Sequence, residues 1–476
     1  MAVRIRSIAA LAAALQLAAS IAQADIRLPR VLADNMVLQR NSPVQLWGWA
    51  DPGERIRIRF RNQRLNAVAD PSGNWSATLA ALAAGGPDRL QLIGKHRLTL
   101  HNVLVGDVWL ASGQSNMEFP LLRQGGFGGV LDAEHEDRAA HFPRIRLFRV
   151  KHATALDPKA DLLADGWRSV TPSSVADFSA IAYLFGRELH RRYGVPIGLI
   201  ESSWGGTAAE SWMSLEGLQP FPEFADAVAR EGRIDAGNMT RFLQAPTLIY
   251  DAMIAPLTAY RIRGVIWYQG ESNADRAAQY RSLFPALIRD WRLHWGYEVP
   301  FLFVQLAGFG AESSEPADYA WADLRAAQSE ALTLPQTAMA VAIDVGDAAD
   351  IHPKDKQTVA HRLALAAERI AYGEPVLASG PRYRSMQIEG QRLRLQFDSV
   401  GAGLRFKDPN GVARGFAIAG ADGRFSWAQA RLDGTDVLVW SDAIAQPNAV
   451  RYDWGNTPDG NLYNQAGLPA APFSTR

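Results

Sequence analysis

The chain has 476 residues, 48% hydrophobic and 21% charged, which is the globular range and enough for more than one hydrophobic core. Lys plus Arg and Asp plus Glu number 49 each, so the formal net charge is zero and no basic stripe argues for a nucleic-acid partner. Cysteine is absent, which excludes disulfides and thiol chemistry.

The N-terminus reads as a processing signal. Arg4 and Arg6 precede an apolar run from Ile8 to Ile21, and Ala22-Gln23-Ala24 fits a small-x-small cleavage site. Residues 1–24 are therefore expected to be a removed signal peptide, with the mature chain in the periplasm or outside the cell. No later stretch is long and apolar enough to predict a membrane span.

Residues 25–103 predict an N-terminal β-sandwich. Val44-Gln45-Leu46-Trp47 and Arg55-Ile56-Arg57-Ile58-Arg59-Phe60 alternate with period two, between turn signals such as Asp51-Pro52-Gly53 and Asp70-Pro71-Ser72-Gly73. Residues 104–375 change rhythm. Apolar runs at Val103–Leu110, Ile197–Glu201, Gly264–Tyr268, Pro300–Leu306 and Ala338–Asp344 alternate with helical patterns at Ala180–Tyr193, Asp275–Trp295, Trp321–Ala331 and Lys356–Ala371. This alternation predicts an α/β fold, a parallel sheet with helices on both faces and ligands at the C-terminal strand ends. Residues 376–476 return to short alternating strands and predict a C-terminal β domain.

Four short blocks follow the apolar runs in order. They are Gly113-Gln114-Ser115-Asn116-Met117, Trp204-Gly205-Gly206-Thr207, Trp267-Tyr268-Gln269-Gly270-Glu271-Ser272-Asn273 and Asp350-Ile351-His352-Pro353. Ser115 sits where a strand turns into a helix, which exposes a hydroxyl beside free backbone N–H groups. A serine nucleophile needs a general base, and His352 in its polar loop is the best candidate. Asp350, two residues earlier, is the first candidate to orient His352, and Asp347 is the second. Ester hydrolysis develops an oxyanion that needs donors aimed in advance. The candidates are the backbone N–H groups of Ser115, Gly205 and Gly206 and the side-chain amide of Gln269, with Asn273 weaker in that role. Gln114, Asn116, Trp204, Glu271 and Asn273 are candidates for substrate contact. Trp204, Trp267 and Tyr268 fit either a core or a wall on which sugar faces stack. Gly125–Gly129 lacks the Gly-Lys-Ser/Thr ending of a phosphate loop and reads as a loop near the site entrance. His135-Glu136-Asp137 has no partner His at zinc-site spacing, which argues against a metal.

These blocks resemble those of the sialate O-acetylesterase family, a branch of the SGNH hydrolases. The resemblance extends to Val31-Leu32-Ala33-Asp34-Asn35-Met36-Val37-Leu38-Gln39-Arg40 near the start and to Gly460-Asn461-Leu462-Tyr463-Asn464-Gln465-Ala466-Gly467-Leu468-Pro469-Ala470 near the end. It implies a flavodoxin-like three-layer α/β/α esterase domain flanked by β domains, and removal of acetyl groups from sugar hydroxyls without metal or cofactor. It also implies Ser115 as nucleophile, His352 as base, and Gly205 or Gly206 with Gln269 at the oxyanion. Two positions depart from the general SGNH pattern: Gln269 stands in the Asn block, and Ala349 stands three residues before His352, where the acid usually lies. The expected substrate is an O-acetylated carbohydrate, either 9-O-acetyl sialic acid or a plant polysaccharide such as xylan or xyloglucan. The alternative of another class is a non-catalytic carbohydrate-binding protein on an esterase scaffold.

Overall fold

The computed structural model describes residues 26–231, 245–312 and 314–476, so the expected signal segment 1–24 lies outside the described residues. The architecture is mixed α/β, with a large, mostly parallel central sheet and further antiparallel sheets. In chain order its strands are β1 (Arg97–Gly113), β2 (Phe142–Val150), β3 (Ala164–Val170), β4 (Ile197–Ser203), β5 (Gly264–Tyr268), β6 (Phe301–Gln305) and β7 (Thr337–Val341). Their order across the sheet is β7-β6-β5-β1-β4-β2-β3, parallel throughout except for the antiparallel edge strand β3. β4, β5 and β6 are buried along their whole length, which explains why their sequences are continuous apolar runs rather than alternating ones.

The register decides which helices cover which face. Trp109 of β1 pairs with Gly264 of β5, and Ser112 pairs with Trp267. Trp109 and Trp267 therefore point to opposite faces. Trp109 meets Phe185 on helix Ala180–Tyr193 and lies near Tyr372, just beyond helix Lys356–Ile370. Trp267 packs against Phe284 and Trp291 of helix Ala277–Trp295. Gly264 is glycine for a packing reason: a Cβ there would lie 2.5 Å from the Trp109 ring.

β1 is 17 residues long and serves two units. Its first half pairs antiparallel with Gly85–Ile93, and its second half forms the centre of the parallel sheet. The boundary expected between residues 103 and 104 thus falls inside one continuous strand. The N-terminal strands share a single hydrophobic core with the α/β unit, from Ile26 to Ala367. The C-terminal strands build a second core around Leu393, Leu395, Phe416, Ile418, Val437 and Val450. No helix among the described residues is long and apolar enough to cross a membrane.

Candidate active site

The chain crosses from β4 on one side of β1 to β5 on the other, and a crevice opens at the C-terminal end of β1 between them. Gly113 ends β1 with φ +132, and a Cβ there would lie 2.1 Å from the Tyr268 carbonyl oxygen. Only glycine lets the two strands close at this point. The Gln114 N–H then donates to Tyr268 O at 2.9 Å, and Ser115 opens the short helix Ser115–Glu118. His352 arrives from the loop after β7. Its Nε2 lies 2.8 Å from Ser115 Oγ, a distance at which the hydroxyl donates to an unprotonated imidazole. Burial, with the nearby positive charge of Lys356 second, holds His352 below its ordinary pKa, against an opposing pull from Asp350. The Phe127 ring meets the imidazole edge-on at 5.2 Å, so the glycine-rich run lies beside the site.

The acidic side of His352 is loose. Asp350 Oδ1 accepts the His352 backbone N–H at 2.9 Å and stands 3.6 Å from Nδ1, with its side chain 45% exposed. Asp347 accepts the Ala349 N–H at 2.9 Å within its own loop. Asp344 is ion-paired with Arg362 and accepts from the Tyr463 hydroxyl.

Behind the pair lies a closed network. Lys356 is fully buried and donates to Asn116 Oδ1 at 2.6 Å. Asn116 Nδ2 donates to Glu271 Oε1 at 2.6 Å and to the Ile351 carbonyl at 3.0 Å. One amide thus joins the Ser115 helix, the loop after β5 and the residue before His352. Burial pushes Lys356 down to about 7 and Glu271 above the usual carboxylate range. Glu271 Oε2 has no hydrogen-bond partner among the described residues.

The expected oxyanion donors separate into two groups. The N–H groups of Ser115 and Gly206 have no acceptor among the described residues. Gly205 lies against Ser115, but its N–H donates to Glu118 Oε2 at 2.6 Å. The Gln269 side chain is fully buried, and its amide donates to Thr207 O at 3.2 Å and to Asn273 Oδ1 at 2.6 Å. Its two N–H bonds are therefore already made, and they hold the Gly206-Thr207 turn from behind. Asn273 is likewise committed, to the Ala209 N–H and to Glu210.

The substrate-contact candidates divide similarly. Gln114 is buried and accepts from the Gly270 and Ser272 N–H groups at 3.3 Å each. Gln114, Asn116 and Asn273 are interior braces, and the Glu271 carboxylate is tied into the same network. Trp204 and Glu271 are the partly exposed ones of the five, and Trp204 forms a surface beside the crevice where its ring stacks on His152 at 4.4 Å. Trp267 and Tyr268 are fully buried core residues.

A cavity of about 370 Å³ lies on the Phe127 side of the pair, lined by Glu118, Phe127, Arg149, His152, Asp177 and Glu201 among others. Arg149 is ion-paired with both Glu201 and Asp177 at 3.0 Å. His152 Nε2 lies 3.0 Å from Glu118 Oε1. Sequence reasoning gave no role to Glu118, His152 or Lys356. A signal existed for Lys356, since a lysine in the first turn of a helix opposes the helix dipole. For His152 there was none, because the fold alone carries it to the crevice.

A family profile described as "Carbohydrate esterase, sialic acid-specific acetylesterase" matches residues 105–369. The sialate O-acetylesterase of Rattus norvegicus is 32% identical over 526 residues, covering 94% of this chain and 94% of the rat protein. That of Homo sapiens is 32% identical over 497 residues, covering 94% of this chain and 92% of the human protein. Among solved structures, a carbohydrate acetylesterase from Xanthomonas citri superposes with a TM-score of 0.86 at 42% identity, over 95% of this chain and 100% of its own.

Proposed function

The chain belongs to the sialic acid-specific acetylesterase family of carbohydrate esterases and is a carboxylic ester hydrolase, and on that premise we propose that Ser115 and His352 carry its chemistry. The observation that supports this reading is the 2.8 Å contact between Ser115 Oγ and His352 Nε2. Ser115 Oγ attacks the carbonyl carbon of a sugar-bound acetyl group while His352 takes the hydroxyl proton. The resulting oxyanion accepts from the Ser115 and Gly206 N–H groups, with Gly205, Gln269 and Asn273 fixing that turn. His352 then returns the proton to the departing sugar oxygen, leaving acetyl-Ser115. Water, deprotonated by His352, attacks the acetyl carbon and releases acetate and the free serine. Asp350 assists His352 only weakly on this reading, because its carboxylate is half exposed and stands beyond hydrogen-bond range of Nδ1.

Five of the six parallel strands, β4-β1-β5-β6-β7, support the flavodoxin-like reading, since numbered among themselves they run 2-1-3-4-5, with β2 added in parallel outside β4. The separate second core supports a C-terminal β domain at 376–476, and the shared strand β1 makes the division of 25–103 from 104–375 a matter of topology rather than of cores. We read residues 1–24 as an export signal, for which N-terminal sequencing of the exported protein should begin at Asp25.

The test is acetate release from 9-O-acetyl sialic acid, acetylated xylan and acetylated xyloglucan by the purified chain and by Ser115→Ala. Release from at least one of them, lowered about 10⁴-fold or more in kcat by the substitution, is expected. Undiminished release by Ser115→Ala would overturn the assignment.

A further inference from the structure

A second cavity, of about 500 Å³, lies between the C-terminal strands and the loop after β6. Glu312, Arg414, Phe416, Trp427, Trp454 and Asp459 contribute to its lining. Trp427 is 46% exposed, and its only polar atom, Nε1, already donates to Ser314 O at 3.2 Å. A large apolar ring is thus held in place with a free face, the geometry on which the C–H face of a pyranose packs.

The charge of the cavity is one-sided. Arg414 is its only basic lining residue, and it pairs with Asp408 at 3.0 Å and Asp459 at 3.1 Å. Glu312, Asp453 and Asp459 are the acidic ones. A ligand carboxylate would meet acceptors and a neutralised guanidinium, whereas hydroxyl groups would find carboxylates to donate to.

Its position ties it to the catalytic loop. Thr457 of the cavity wall donates to Gly310 O at 2.9 Å, and the Gly310 N–H donates to Ala348 O at 3.1 Å. Ala348 belongs to the loop that carries Asp350 and His352. The cavity wall and the catalytic loop are therefore neighbours on the C-terminal rim of the sheet.

We propose that this cavity is a second carbohydrate-binding site that holds a neutral glycan chain, stacked on Trp427, while an acetylated residue of the same chain reaches Ser115. The inference rests on the acetylesterase reading for its purpose, and its own test is one of binding. Isothermal titration of the full Ser115→Ala chain would use three unacetylated probes: xylo-oligosaccharides, xyloglucan oligosaccharides and sialyllactose. At least one neutral probe is expected to bind, and which of the two does so names the source of the glycan. Sialyllactose should bind about tenfold more weakly or not at all. Trp427→Ala in the same background should weaken the neutral probe about tenfold or more, and Trp427→Phe should stay within about threefold. Absence of neutral-glycan binding, equal binding by Trp427→Ala, equal loss in the Ala and Phe variants, or equal affinity for sialyllactose would each overturn it. Acetate release without Trp427-dependent binding removes this inference and leaves the esterase reading. Trp427-dependent binding without acetate release does the reverse.

Discussion

His352 stands between two regions built on opposite principles. Behind it, Lys356, Asn116 and Glu271 form an interior chain of short hydrogen bonds in which one amide separates the Lys356 amine from the Glu271 carboxyl group. In front of it, the Asp347–Asp350 loop is open to solvent, and its nearest carboxylate stands 3.6 Å from Nδ1. A charge in water exerts little force on its neighbour, and a charge in a low-dielectric interior exerts much more. The difference teaches that His352, the base of the proposed mechanism, is held mainly from behind, through Ile351 and Lys356, rather than by a close carboxylate.

The comparison is broken most severely at Lys356. Lys356→Met keeps the side chain's packing on Phe119 and Tyr268 but leaves the Glu271 carboxylate buried without its cation. Urea denaturation should show a loss of about 3–5 kcal/mol. Because the positive charge of Lys356 holds His352 down, its removal should raise the pKa of the base. The acid limb of kcat/KM should therefore move to higher pH, which a purely structural loss would not produce.

Asn116→Ala should come next. It removes the donor to Ile351 O and Glu271 and the acceptor of Lys356, leaving buried groups unsatisfied at about 1–3 kcal/mol each. A fall in kcat larger than any rise in KM is expected, because the change acts on the Ser115–His352 geometry. A rise in KM alone would make Asn116 a substrate contact instead.

In the unmodified chain, the protonated form of His352 is disfavoured by burial and by Lys356, so the base stays active below the ordinary histidine pKa of 6.5. A kcat/KM profile whose acid limb lies below that value agrees, and one whose limb lies above it does not.

The smallest effect belongs to the open side. A half-exposed carboxylate at 3.6 Å contributes about 1 kcal/mol or less, so Asp350→Asn should lower kcat by less than about tenfold. A loss of about 10⁴-fold, as for a buried orienting acid, would invert the comparison.

Much of this was legible in the sequence, for identifiable reasons. The central strands announced themselves because both of their faces are buried, which leaves continuous apolar runs. Ser115 and His352 were singled out by their types and their places after those runs, and the fold sets Oγ 2.8 Å from Nε2. The division of labour among the other polar residues was not. Gln114, Asn116 and Glu271 read as substrate contacts, yet Gln114 and Asn116 bond to backbone groups on other elements and Glu271 accepts from the Asn116 amide, and such partners cannot be inferred from residue type. Gln269 and Gly205 read as oxyanion donors, yet Thr207 O and the Glu118 carboxylate take their N–H groups. The separate core of the C-terminal strands was legible in their alternation, whereas the fusion of the N-terminal strands with the sheet through β1 was not, because a long strand shows no seam.

The most direct test of the account is to catch the intermediate. The enzyme, acid-quenched during turnover of a small aryl acetate, would be digested and the peptide containing Ser115 examined by mass spectrometry. An acetyl group on Ser115, absent from unreacted enzyme, is the predicted result. Continued acetate production with no acetyl-serine, and with Ser115→Ala equally active, would contradict it.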